Sequence, residues 1–304
     1  MKKILFVIKS LLSSFDNGII LYFASSHGLG NNLIEISVLK SLYPDQLLFA
    51  FTPCVGLEIL DTKMVYLKYK WSIKNRLIMI FLKRIFLIFS KLRIISLIYE
   101  NFEKHAGYII KKEYGFFRKI SLVRFNSYFQ IVRYLDKLNL TISDIRYENE
   151  IKKITHFNKE LESIDWEQTC FLHIRRGDYI QYPDKELPAI LDLSWYLKAI
   201  KMLESKYKIK NYIVCSNDIF YIRDTLAFDK RNIIFHSNVI EELCIMAKCR
   251  YGILSASSLS WCAAKLSKKK YKSNNFFIAP KYWIGHRRKK WIPFQFEFKW
   301  INYL

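Results

Sequence analysis

Phe171–Ile180, FLHIRRGDYI, is an apolar run that empties into a dense polar cluster. Thr169 to Ile174 has the length and continuity of a buried strand, and His173, Arg175, Arg176, Gly177 and Asp178 stand at its end. Ligands of open α/β sheets bind outside the carboxyl ends of strands. A guanidinium grips two phosphate oxygens at once, so adjacent arginines at such an end point to an acidic, phosphate-bearing ligand. The competing reading is structural, with Arg175 or Arg176 pairing with Asp178 to brace a turn.

Working outward, apolar runs at 169–174, 211–216, 232–235, 251–254 and 276–279 alternate with helix-like segments at 194–206, 218–228, 239–248 and 259–267. This β/α alternation with nearly unbroken apolar strands predicts a parallel, doubly wound α/β sheet. Short polar groups follow three of its strands: His173-Ile-Arg175, Ser216-Asn217-Asp218 and Ser255-Ala256-Ser257-Ser258. Ser257 and Ser258 suit a phosphate at a helix start, or simple helix capping. Asp218 suits a sugar hydroxyl or base edge, or a cap of its own helix. Together with the arginine pair, a nucleotide site accounts for all of them.

Before this region, Gly18 to Ala24 is strand-like, and His27-Gly28-Leu29-Gly30-Asn31-Asn32 is a glycine-bearing turn into a helix-spaced run, Asn31 to Tyr43. Glycine lets a ligand approach the backbone, but the third glycine of a dinucleotide fingerprint is missing, which excludes NAD on this motif. Arg76 to Tyr99 reads as one helix with a wide apolar surface. Its charges Arg76, Lys83, Arg84, Lys91 and Arg93 recur near every seventh residue, a basic stripe suited either to an anionic membrane surface or to a core helix with a wet edge. Tyr99 to Glu162 carries a helical pattern without a Pro- or Gly-rich linker. The expected division is 1–163 and 164–304.

With 304 residues, 51% of them hydrophobic, the chain can bury two ordinary cores. Lys+Arg 49 against Asp+Glu 27 leaves a formal charge of +22, which favours acidic partners, although coding bias also yields lysine-rich chains. The basic residues form no nucleic-acid-binding module, so no nucleic-acid partner is expected. Six cysteines without a CxxC pair argue against structural zinc and fit a reducing, cytosolic setting. No apolar run approaches the roughly 18 residues of a spanning helix. MKKILFVIKSLL is interrupted at Lys9 and has no convincing cleavage site, so export is disfavoured. Arg176-Gly177-Asp178 also spells an adhesion tripeptide, but its place at a strand end in a cytosolic protein argues against adhesion.

Four blocks in order carry a resemblance: His27-Gly-Leu-Gly-Asn-Asn32, His173-Ile-Arg-Arg-Gly-Asp-Tyr179, Cys215-Ser-Asn-Asp218 and Ser257-Ser-Leu-Ser-Trp-Cys-Ala-Ala264. The chain resembles the galactoside α-1,2-fucosyltransferases, glycosyltransferase family 11, whose blocks read GGLGNQ, HxRRGDY, SDD and NSSFSWWGA. Ala279-Pro-Lys-Tyr-Trp283 is similar to the family's IAPKxWF ending, while 61–161 matches nothing in it. The resemblance implies a GT-B arrangement of two Rossmann-like lobes, with GDP-fucose bound chiefly by the C-terminal one and the acceptor by the N-terminal one. It also implies inversion at the anomeric carbon without a metal or other cofactor, and a galactoside-containing surface glycan as acceptor. By position it gives catalytic roles to Arg175, His173 and Asp178, donor contacts to Arg175, Arg176, Ser216, Asp218, Ser257 and Ser258, and an acceptor-side face to Gly28, Gly30, Asn31 and Glu35. Glu35 and His27 are the candidates for the proton acceptor, each with a structural alternative. The chain departs from the family at His27, Asn32, Asn217, Ala256 and Cys262, which leaves acceptor and linkage more open than donor. Alternatives are transfer of another sugar or linkage and, from a different class, nucleic-acid binding. A cytoplasmic protein peripheral at the inner membrane face is the expected setting.

Overall fold

The computed structural model describes residues 17–24, 28–52, 56–60, 64–68, 73–103, 107–125, 127–140, 142–226, 229–272, 274–289 and 297–304. The chain divides into two units, Met1–Thr141 and Ile142–Leu304. His27, Cys54 and the basic extension before Asn17 lie outside the described residues.

The first unit runs β1 (Ile19–Phe23), α1 (Leu29–Leu42), β2 (Leu47–Thr52), β3 (Met64–Lys68), α2 (Ile73–Lys91), β4 (Ile95–Glu103), β5 (Gly107–Glu113), β6 (Phe117–Val123) and a short α3 (Val132–Leu135). Its six-stranded sheet has the order β3-β2-β1-β6-β4-β5, parallel except where β5 returns antiparallel along β4. Central β1 buries Ile20, Tyr22 and Phe23, and α1 covers it with Leu33, Ile34, Ile36 and Leu39, all without exposure.

Arg76 to Tyr99 is not the single helix its sequence pattern predicts. The helix stops at Lys91, and Ile95–Tyr99 begins a sheet strand. The stop is a Schellman motif: Ile94 N–H donates to Phe89 C=O at 2.8 Å and Arg93 N–H to Ser90 C=O at 3.1 Å, with Arg93 left-handed at φ 54°. Strands also replace the first part of the helical pattern expected over 99–162: β4 and β5 form an antiparallel hairpin in which Phe102 pairs with Tyr108, Asn101 with Ile109 and Glu100 with Ile110. The basic stripe is broken as well. Lys83 turns inward, its ammonium 5.1 Å from the ring centroid of Phe125, and burial lowers its pKa.

The second unit contains α4 (Asp144–Phe157), α5 (Lys159–Glu162), β7 (Thr169–Ile174), α6 (Leu193–Glu204), β8 (Asn211–Ser216), α7 (Ile219–Leu226), β9 (Asn232–Ile234), α8 (Val239–Lys248), β10 (Tyr251–Ile253), α9 (Ser258–Tyr271), β11 (Phe276–Ala279) and β12 (Asn302–Tyr303). All its strands are parallel, ordered β9-β8-β7-β10-β11-β12. By place in the unit this is 3-2-1-4-5-6, the doubly wound order whose direction of winding reverses between the first and fourth strands, here β7 and β10. Every residue of β7 is buried. Cys170, Leu172 and Ile174 join a core with Trp195, Tyr196 and Leu203 of α6, while Phe171 lies near Phe277 at 6.4 Å between ring centroids. Gly252 pairs with Phe171 in the sheet, and a Cβ there would run into the Phe171 ring.

The division falls before α4 rather than at 163/164. That helix, capped where Ser143 Oγ accepts from Arg146 N–H, packs on α8 of the second unit: Lys153 Nζ pairs with Glu241 at 2.7 Å and Tyr147 OH donates to Cys244 C=O at 3.4 Å. Each unit is thus a Rossmann-like α/β lobe, as expected of a GT-B-type chain.

Candidate functional site

In the second unit the polar strand ends meet at the reversal point. Alternation along β7 puts His173 on the same face as Phe171, and its Nδ1 shares a hydrogen bond of 2.7 Å with Ser255 Oγ in the loop after β10. His173 is buried, and desolvation together with the Arg175 cation pushes its pKa down to about 3. It is a neutral imidazole tying the first strand end to the fourth.

The chain after β7 turns through a 3₁₀ segment, Gly177–Ile180. Gly177 sits at φ +21°, and a Cβ there would run into the Asn217 amide, so the turn and Asn217 require a glycine. Tyr179 OH donates to Ala256 C=O at 2.6 Å, latching the turn to the loop after β10.

The two arginines do different things. The guanidinium of Arg176 lies 3.6 Å from the ring centroid of Tyr221, and its Nε donates to Asp218 Oδ2 at 3.1 Å. Its backbone N–H donates to Asn217 Oδ1 at 2.9 Å. Asp218 Oδ1 in turn accepts Tyr221 N–H at 3.2 Å, and Ser216 Oγ accepts Asp218 N–H at 3.0 Å. Ser216, Asp218 and Arg176 therefore build the end of β8 and the start of α7. Arg175 pairs with Asp178 at 2.8 Å and lies over the Tyr179 ring at 5.5 Å, and a third of its side chain is open to solvent against 19% for Arg176. A partner exposed to 60% is easily exchanged for a ligand anion, since a solvated ion pair holds weakly.

Ser257 is the N-cap of α9, its Oγ accepting Leu259 N–H at 3.3 Å, and Ser258 opens the helix, half-buried. Ser260 Oγ donates to the carbonyls of Ser255 and Ser257, at 3.3 and 3.0 Å, and holds the loop against the helix. The positive end of a 14-residue helix thus stands beside the strand end that carries Arg175. Sequence reasoning missed Tyr221 and Tyr179, whose ring and hydroxyl set this geometry, and also Glu242. Glu242 accepts Ser237 N–H at 3.4 Å, and its pKa is raised by burial against the opposing pull of Ser237 N–H, His236 and Arg175. Tyr221 was readable as the residue three after Asp218 on one helix face. Glu242 carried no signal beyond an acidic first turn.

In the first unit, Gly28 caps α1 with its carbonyl accepting Asn32 Nδ2 at 3.2 Å, and a Cβ on it would meet nothing within 4 Å. Gly30 is buried in the first turn, and half-buried Asn31 accepts Gln130 Nε2 at 2.8 Å. Glu35 is buried, and its pKa is pushed up to about 8 by desolvation, with Tyr22 opposing and the Glu100 carboxylate adding to it. It is therefore protonated at neutral pH. Tyr22 OH lies within hydrogen-bond distance of both Glu35 Oε2, at 2.5 Å, and Asn32 Oδ1, at 2.9 Å, a chain that ends at the glycine turn.

Among the described residues no group of three or more His, Cys, Asp and Glu side chains is arranged to hold a metal ion. Likewise, no helix among them is long and apolar enough to cross a membrane.

Comparison with known proteins adds four findings. The family model for glycosyl transferase family 11 matches residues 68–302. The O-antigen biosynthesis glycosyltransferase WbnK of Escherichia coli is 29% identical over 139 residues, 44% of this chain and 44% of that one. Galactoside alpha-(1,2)-fucosyltransferase 2 of Rattus norvegicus is 24% identical over 102 residues, 32% of this chain and 29% of that one. The similarity thus spans less than half the length of these curated relatives. Among solved structures, the glycosyl transferase family 9 protein of Veillonella parvula DSM 2008 aligns with a TM-score of 0.50 at 12% identity, over 96% of this chain and 86% of that one. That likeness concerns the fold.

Proposed function

Because the chain belongs to glycosyl transferase family 11, we propose that it transfers L-fucose from GDP-fucose to a galactoside hydroxyl, forming an α-1,2 linkage with inversion at the anomeric carbon. The acceptor in this reading is a surface glycan, in keeping with the similarity to WbnK, named for O-antigen biosynthesis. The linkage rests on the similarity to the rat enzyme.

The observation that carries the reading is the division of labour between the arginines, with Arg176 held in place and Arg175 presented beside the N-terminus of α9. Departure of GDP concentrates negative charge on the diphosphate as the sugar becomes cationic. A guanidinium already positioned there stabilises the transition state more than the ground state. Arg175 takes that role in the proposal, exchanging Asp178 for phosphate oxygens. The N–H of Ser258, in the first turn of α9, adds a second anion contact, while that of Ser257 is donated to Ser255 C=O at 2.8 Å. His173, neutral, positions Ser255. The charge supplied in this way needs no metal in the proposal. Glu35 is the candidate for the acceptor's proton, which it can take only as the carboxylate, the form that a pKa of about 8 reserves for the alkaline range.

The proposal also sets the protein at the cytoplasmic side of a membrane as a peripheral protein. Its support is the formal charge of +22 and the stretch from Ile73 to Tyr99, which holds six basic residues and no acidic one.

The test is a panel of GDP- and UDP-sugars with galactoside acceptors, read by nucleotide release, followed by linkage analysis of the product. Release of GDP from GDP-fucose alone, unaffected by EDTA, and a 1,2-linked product are expected. Release from another sugar nucleotide, or another linkage, replaces this reading with its nearest alternative.

A further inference from the structure

Helix α2 has two apolar faces, and the fold uses one. Met79, Leu82, Phe86 and Ser90 turn inward, with Met79, Leu82 and Phe86 packed against Phe23, Ile95 and Leu122 of the sheet. On the other side Leu77, Ile78, Phe81, Ile88, Phe89 and the adjoining Leu92 are exposed, Leu77, Phe81 and Leu92 by 62%, 63% and 66%. Positions 77, 81, 88 and 92 recur at helical spacing, so they form one outward ridge. The surface does not end with the helix. Phe116 N–H donates to Arg93 C=O and Phe117 N–H to Ile94 C=O, which seats the turn before β6 beside Leu92. Phe116 is exposed by 82% and Phe117 by 53%, their rings edge-to-face at 5.1 Å.

Water does not favour such a surface, so its occupant is decided by the charge around it. Arg84, Lys91 and Arg93 are exposed beside the ridge and Arg118 follows the two phenylalanines. Among the described residues no carboxylate pairs with any of these four, and Ile73–Tyr99 contains no acidic residue. An apolar ridge flanked by cations without carboxylate partners and with aromatic rings at one end has the chemistry of a helix lying in the headgroup region of an anionic bilayer. We infer that the outward ridge of α2, continued by Phe116 and Phe117, is a lipid-docking surface that inserts its apolar side chains into an anionic membrane. The inward Lys83 takes no part. This inference rests on the peripheral-membrane part of the reading above and not on the sugar chemistry, so vesicle binding and fucosyl transfer are measured separately.

The experiment uses the full chain and sedimenting vesicles of phosphatidylcholine, with and without phosphatidylglycerol. Wild-type protein pellets with the anionic vesicles. Phe81→Glu with Ile88→Glu lowers that binding by roughly tenfold or more, because two charges replace inserted apolar groups. Leu92→Glu with Phe116→Glu, in the turn beyond the helix, does the same and stands in if the first pair does not fold by circular dichroism. Arg84→Glu with Lys91→Glu weakens binding and removes its salt dependence. Undiminished binding in both apolar pairs, with loss only in the basic pair, overturns insertion in favour of surface electrostatics alone. Absence of vesicle binding, with concentration-dependent self-association that the apolar pairs abolish, assigns the ridge to a second copy of the chain. Intact vesicle binding without transfer from GDP-fucose removes the transferase reading and leaves this one standing.

Discussion

The guanidinium of Arg176 lies 3.6 Å from the ring centroid of Tyr221, a residue one strand over, and that contact separates two neighbouring arginines into a brace and a presented cation. Cation–π contacts of partly buried arginines contribute about 0.5–2 kcal/mol, and the Asp218 pair adds a charge-assisted bond. Arg176→Ala is therefore expected to lower unfolding free energy by about 2 kcal/mol in urea titration. Arg175→Lys is expected to leave stability within about 0.5 kcal/mol and to reduce kcat on the order of 10², the scale of removing one positioned transition-state donor. Equal losses of stability in the two variants would refute the division.

His173 gives a pH signature. Its pKa lies at about 3 folded, below the ordinary 6.5, so between these values the unfolded chain binds a proton that the native one does not. Stability from this group is complete above pH 6.5, falls as pH drops through the window, and levels off below about 3. The slope is on the order of 1.4 kcal/mol per pH unit for one proton. His173→Gln should flatten the urea midpoint between pH 4.5 and 6.5, as measured by tryptophan fluorescence. An unchanged slope would mean that His173 is accessible and charged.

Glu35 has the opposite sign. Its folded pKa of about 8 stands above 4.5, so the native state holds the extra proton in between. Its favourable contribution is complete below pH 4.5 and is lost as pH rises through about 8. Glu35→Gln retains a donor for Tyr22 and should be the more stable protein at pH 8.5 and no more stable at pH 5. If Glu35 also takes the acceptor's proton as a carboxylate, kcat in that variant falls at alkaline pH while the donor KM stays constant. A full kcat would leave Glu35 a structural acid.

Most of the second unit was legible because strands buried on both faces, such as TCFLHI at 169–174, read as unbroken apolar runs between helices of ordinary period. Three of the four resemblance blocks lay at those same strand ends. The first unit was not legible beyond β1, α1, the apolar strand at 47–51 and the helical character of α2. Ile95–Glu103 and Gly107–Glu113 form a half-exposed hairpin in which Glu100, Lys111 and Lys112 interrupt the alternation. The apolar run of α2 leads straight into β4, with Arg93 rather than glycine at the break. Nor does any local pattern distinguish Arg175 from Arg176, since their difference comes from Tyr221 and Asp218 after another strand.

Arg93 makes that break testable. A side chain in the left-handed region costs about 1–2 kcal/mol, and the Schellman position is ordinarily glycine. Arg93→Gly is expected to raise stability by about 0.5–1 kcal/mol, after allowing for the greater freedom of glycine in the unfolded chain, while Arg93→Val lowers it. Thermal unfolding of the two variants checks the order. A less stable glycine variant would show that the Arg93 side chain is held by contacts of its own.

Ser257 and Ser258 separate capping from ligand contact. Ser257 Oγ accepts Leu259 N–H at 3.3 Å, so Ser257→Ala removes a cap and should cost about 1 kcal/mol of stability. Ser258 is the first helical residue and supplies no cap, so Ser258→Ala should leave unfolding unchanged. If both face the donor's phosphates, each variant raises the donor KM and leaves the acceptor KM alone, because the lost contact serves only the nucleotide. The stability difference between them makes the test sharp. A structural serine changes the urea midpoint and GDP affinity together, whereas a ligand contact at Ser258 changes GDP affinity alone. Isothermal titration of GDP into both folded variants decides it, and equal affinities with wild type would leave Arg175 and the backbone of α9 to hold the diphosphate by themselves.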